Sequence, residues 1–212
     1  IVPLAFTLPS DPRVRNENVV HTDSFGAIRE AFGHRGFMLL TAGFFVCGFH
    51  VAFITVHLPI YVADLELAPM VGALAISLIG IFNIFGSLLS GAFGQRFSKK
   101  LGLSGIYALR ALVLTIFLLS PKTTEVIYLF AASMGILWLS TVPLTAGLVA
   151  QVFGIRYMAT LYGFVFLSHQ IGSFIGVWMG GYIYDLTGSY DLMWQAGILL
   201  GLVAAVIHLP ID

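Results

Sequence analysis

Charge is what this sequence has least of. Asp, Glu, Lys and Arg together make up 9% of its 212 residues, against roughly 25% in an ordinary soluble domain. A soluble chain of this size needs far more polar surface, so that class is excluded. Ten basic and ten acidic residues cancel to a formal charge of zero, which offers nothing to nucleic acid. The single cysteine, Cys47, rules out an intrachain disulfide. Also missing are H-E-x-x-H, G-x-S-x-G, a glycine-rich phosphate loop and paired carboxylates inside any apolar run. An enzyme is therefore not expected, and no cofactor or metal is called for. The chain lacks an initiator Met and a signal peptide. Its opening "IVPLAFTLP" (residues 1–9) is too short to span a bilayer and reads as the end of a helix that begins earlier.

What is present is apolar sequence: 58% of residues are hydrophobic, with a mean hydropathy of +0.96. Six runs approach the ~20 residues that cross a bilayer. They are Phe37–Val62, Val71–Phe93, Leu101–Leu119, Val126–Val149, Met158–Tyr184 and Leu192–Leu209. Long runs with scattered glycine and aromatics favour helices over a β-barrel, whose strands would alternate over about ten residues. The expected fold is an all-α membrane protein, residues 36–212 forming a bundle of six transmembrane helices. Residues 10–35 are the only long polar segment and read as a linker, within which "SFGAIREAF" has the pattern of a short amphipathic helix.

The loops sort by charge. One side receives Arg13, Arg15, Arg29, Arg35, Arg96, Lys99, Lys100 and Arg156, while the other receives Lys122 as its one basic residue, with Asp64, Glu66, Glu125, Asp185 and Asp191. Basic loops stay on the cytoplasmic side. Both ends of the segment are thus expected in the cytoplasm, in a plasma or bacterial inner membrane.

Two stretches carry a resemblance. After the second full span stands "GAFGQRFSKK", in which Gly91, Arg96, Lys99 and Lys100 match a loop signature of Gly, three residues, Asp-Arg, then Gly-Arg-Arg or Lys. Gln95 replaces its acid and Ser98 its glycine. Towards the end, "VPLTAGLVAQVFGIRYMATLYG" leads on to "GGYIYDLTGSYDLMW". Together these resemble the C-terminal half of a major facilitator superfamily transporter, closest in tone to the monocarboxylate-transporter-like and oxalate/formate-antiporter-like branch. The resemblance implies one half of a twelve-helix fold, with the N-terminal six-helix half lying outside this chain. It also implies secondary active transport of a small solute by alternating access, with an organic anion such as a monocarboxylate as the first expectation and proton coupling as an option. In the superfamily the loop latches the two halves through its acid and arginine, and Gln95 cannot carry that negative charge. The alternative is a polytopic sensor or scaffold with the same fold and no transport.

Polar residues inside spans are costly and are candidates for function. At ~1.5 Å per residue, Asn83 and Trp138 lie ~18 Å into their spans and His169 ~17 Å, near the middle of a core ~30 Å thick. The resemblance makes the first, second, fourth and fifth full spans the lining of a central cavity, which places these three on cavity-lining helices at one depth. Helical spacing puts Tyr162, Phe166, His169 and Ser173 on one face. It gathers Ser168, Gly172, Gly176 and Gly180 into a small-residue row suited to close helix packing. Gln170 projects ~100° from His169. His50 is a further site candidate, and His57, seven residues on, is expected to be a solvated residue near the outer mouth. Arg110 is the one formal charge deep in a span. It is open to snorkelling, ion pairing with the missing half, or substrate contact. Carriers of monocarboxylates usually place an acid and an arginine in the second span of this half, where "FNIFGS" offers Asn83 and Ser87 instead. A carboxylate would then need Arg110, a protonated histidine or the other half as its cation.

Overall fold

The computed structural model describes residues 24–211; the expected helix end at 1–9 and most of the 10–35 linker lie outside them. Among the described residues there are eight helices and no strand. Helix α1 (Ser24–Gly33) is the short amphipathic helix, burying Ala27 and Ala31 while Arg29 and Glu30 stay exposed. The spans follow as α2 (Arg35–Asp64), α3 (Pro69–Arg96) and α4 (Lys99–Leu119), then α5 (Thr124–Leu137) with α6 (Thr141–Phe153), α7 (Met158–Thr187) and α8 (Asp191–Ile207). Five of these spans are long and apolar enough to cross a membrane, α5 and α6 counting as one; α8 is a shorter apolar helix of 17 residues. Connections of a few residues make successive spans antiparallel.

The fourth span departs from expectation. Hydropathy runs unbroken from Val126 to Val149, yet the helix stops at Leu137 and restarts at Thr141. Pro143 is the cause. It has no amide hydrogen to give the Leu139 carbonyl four residues back, and its ring would crowd that carbonyl. The Val142 amide takes the Leu139 carbonyl instead, at 2.9 Å, while the Trp138 amide closes the end of α5 on Gly135 at 3.1 Å. Both are three-residue bonds, the tighter turn that forms at helix ends.

Pairing is uneven: α2 packs most extensively on α7, α3 on α5, and α4 on α8. The small-residue row explains the first pair. Ser168 Oγ donates to the Thr41 carbonyl at 2.8 Å, and Gly172 and Gly176 lie directly against the backbone of Phe45 and Phe49. Gly48 returns the contact, lying against the His169 carbonyl. Two apolar clusters fill the bundle, one around Phe53, Phe117, Phe130 and Trp194, the other around Phe37, Phe44, Leu103 and Leu161. On α2 the boundary between them falls at Cys47 to Phe49. Polar groups gather there.

Candidate functional site

The break between α5 and α6 is where the polar side chains converge. Its backbone groups need partners in a medium that offers no water; two helices supply them, and a third bonds a side chain of the break. From α4, Arg110 Nε donates to the Leu137 carbonyl at 3.2 Å and Nη2 to the same oxygen at 2.6 Å. Nη2 also donates to the Trp138 carbonyl. From α3, Asn83 Oδ1 accepts the Leu139 amide at 3.0 Å and the Ser87 hydroxyl at 3.2 Å. From α2, Cys47 Sγ meets Thr141 Oγ1 at 3.3 Å. Arg110 has no exposed surface, so snorkelling is excluded by its position. Its ring-stacking neighbour is Tyr107, 5.3 Å away. Its Nη1 has no partner, and none of its nitrogens meets a carboxylate among the described residues.

Trp138 is buried in the bundle, its carbonyl held by Arg110. His169 is buried on α7, its ring stacked on Phe166 with centroids 5.3 Å apart and 5.0 Å from Phe44. Its Nδ1 lies 3.2 Å from Gln170 Oε1, so neighbouring residues that the helix projects in different directions bond each other. An amide oxygen only accepts, so Nδ1 carries the proton and Nε2 is left an acceptor whose polar neighbour is the Cys47 thiol. Ser173 donates to the Gly48 carbonyl at 3.3 Å, with His169 Nδ1 3.5 Å away. Tyr162 sits against Phe44 and Phe166. Tyr162, Phe166, His169 and Ser173 thus stand beside one another, and Cys47 has both His169 and Arg110 as electrostatic neighbours.

Two histidines on α2 have structural partners. His50 Nε2 donates to the Gly197 carbonyl of α8 at 2.8 Å, which turns its ring to that helix rather than to His169. His57 is not solvated: it is 5% exposed and joins three segments. Its Nε2 donates to the Val177 carbonyl at 3.0 Å, and Nδ1 accepts the Tyr190 hydroxyl at 3.0 Å. Burial, with the Asp64 carboxylate adding to it, pushes the Tyr190 hydroxyl up to about 12, which keeps the donor protonated. Replacing His57 with Phe should cost about 1–3 kcal/mol, since a buried carbonyl and hydroxyl lose their partner. Unfolding midpoints of His57→Phe, Tyr190→Phe and the double variant check this. The two losses should fall well short of adding, whereas additivity within about 0.5 kcal/mol would mean no coupling.

Cys47 and Thr141 are the members that sequence reasoning missed. A lone cysteine in an apolar run looks like packing, and the one hint to Thr141 was Pro143 two residues later. The loop residues lie apart from this centre. Gly91 approaches Pro143, Arg96 ends α3 in the open, and Lys99 Nζ donates to Gln151 Oε1 at 3.3 Å, tying α4 to α6. Lys100 is half-buried beside them. Among the described residues no group of His, Cys, Asp and Glu could hold a metal ion.

An all-α bundle of apolar spans, one of them broken and cross-bonded by buried polar side chains, defines a multi-pass membrane protein built like half of a transporter. The profile of the Major Facilitator Superfamily matches residues 1–177, and the chain belongs to that family. It is 27% identical over 197 residues to the uncharacterized MFS-type transporter YcxA of Bacillus subtilis strain 168. That match takes in 86% of this chain and 48% of YcxA, so the chain spans about half the length of the curated relative it matches.

Proposed function

We propose that the full-length protein is a secondary active transporter that moves a small organic anion by alternating access, with protons coupled through His169. The observation that carries the anion is Arg110: a buried guanidinium with an unpartnered Nη1 and no carboxylate partner among the described residues. A cation held in the membrane interior is costly unless something negative compensates it. A carboxylate solute arriving at the α5–α6 break would do so. His169 supports coupling because its Nε2, with the Cys47 thiol beside it, is a ready proton acceptor, and imidazole is the side chain that changes charge near neutral pH. Gln170 and Ser173 hold that ring in place. The basic end of the bundle faces the cytoplasm of a cell membrane, by the loop-charge rule.

The test is uptake by the full-length protein in proteoliposomes across a panel of mono- and dicarboxylates, with internal pH followed by a dye. Saturable uptake accompanied by internal acidification is expected. His169→Ala should abolish the acidification while the protein remains folded. No flux across the panel would favour a sensor or scaffold, and coupled flux unchanged in His169→Ala would remove His169 from the proton path.

A further inference from the structure

A groove of about 460 Å³ runs between α3 and α4 with the α5–α6 break as its floor. Its walls are Leu89, Phe93, Leu101, Gly105 and Leu109, and two serines also reach it, Ser90 and Ser140. Both serine hydroxyls donate to carbonyls of their own chain segment, Ser87 and Ile136, so the groove offers no free polar group there. From Leu101 to Leu109 is about 12 Å along the helix, close to the ~15 Å depth of one leaflet. At the end of the groove where Phe93 and Leu101 stand, Arg96, Lys99 and Lys100 cluster within five residues of chain. No Asp or Glu occurs between Glu66 and Glu125, so neither helix wall carries a charge to oppose them.

We propose that this groove is a binding site for one anionic phospholipid, its headgroup on the basic cluster and an acyl chain along Leu101, Gly105 and Leu109. Charge and shape select the same occupant. A headgroup phosphate gains from each nearby cation, and the apolar channel beneath suits a hydrocarbon chain and nothing polar. Gly105 keeps the channel open: a side chain there would meet nothing within 4 Å, so the space belongs to the groove rather than to packing. The groove shares Leu137 with the polar centre at its floor, but its basic end lies at the α3–α4 loop, and lipid binding there does not depend on which solute is carried.

The test is native mass spectrometry of the full-length protein equilibrated with phosphatidylglycerol or phosphatidylcholine. The wild type should retain phosphatidylglycerol in preference. Arg96→Gln with Lys100→Gln should reduce that preference by about tenfold or more. Gly105→Leu fills the channel without touching a charge and should lower retention of phosphatidylglycerol while the melting temperature is held or raised. A photo-crosslinker at Leu109 should label lipid. Equal retention of the two lipids, undiminished retention in Gly105→Leu, or a Leu109 crosslink to another part of the protein would each overturn the proposal.

Discussion

Replacing Arg110 with Met is expected to destabilise the full-length protein by about 2–4 kcal/mol and, on the function proposed above, to abolish uptake. Among the described residues, the side chain supplies the hydrogen bonds that the Leu137 and Trp138 carbonyls receive from outside their own helix. Hydrogen bonds from a charged donor contribute about 1.5–3 kcal/mol each, and a carbonyl left bare in the interior costs about 1–3 kcal/mol. Relief of the buried charge offsets part of that loss, which is why the expected total is smaller than the sum. Arg110→Lys separates two roles. It keeps the charge but not the planar fork that reaches both carbonyls at once. Partial recovery of stability with recovered uptake would assign the transport role to charge. Loss of both would assign it to the geometry of the break. Denaturation in detergent and proteoliposome uptake read the two effects, and an Arg110→Met protein unchanged in both would sink the assignment.

The second large effect lies on the α2–α7 seam. A methyl at Gly48 would stand inside the van der Waals sphere of the His169 carbonyl oxygen, and one at Gly172 inside that of Phe45. Backbone cannot rotate away as a side chain can, so Gly48→Ala or Gly172→Ala must push two 30-residue helices apart. Overpacking of this kind costs about 1–3 kcal/mol per site. The double variant should lose less than the sum, because the first methyl already opens the gap that the second needs. Gly181→Ala is the internal control. It sits on α7, and its added methyl would meet nothing within 4 Å. It should be neutral or slightly stabilising, since alanine is the better helix former. Melting temperatures of the purified protein decide the matter. A Gly48→Ala protein that melts with the Gly181→Ala control would show that the seam has slack.

What could be read from the sequence divides along physical lines. Spans were legible because lipid demands long apolar runs, and the ends of α4 and α7 coincide with charges and glycine. The glycine row was legible because four-residue spacing fixes one helix face. The α5–α6 break was not, although Pro143 was in view, because hydropathy stays high across it and a proline in the first turn of a new helix looks the same as one in the middle of an old one. Depth along a span could be estimated for His50 and His169, but depth carries no direction around the helix axis. His50 turned to Gly197, and His57 to Tyr190, 133 residues away. Arg110 was noticed and its partners were not, because they are carbonyls, which every residue possesses and no sequence pattern marks.

The broken span also settles how a lone guanidinium persists in a medium hostile to ions. Aligned peptide dipoles leave about half a negative charge at a helix C-terminus, and α5 ends at the two carbonyls that Arg110 grasps. A helix terminus is thus its counter-ion, fixed in place and made of backbone alone. The positive end of α6 begins only a few residues on, at Thr141, so the compensation is partial.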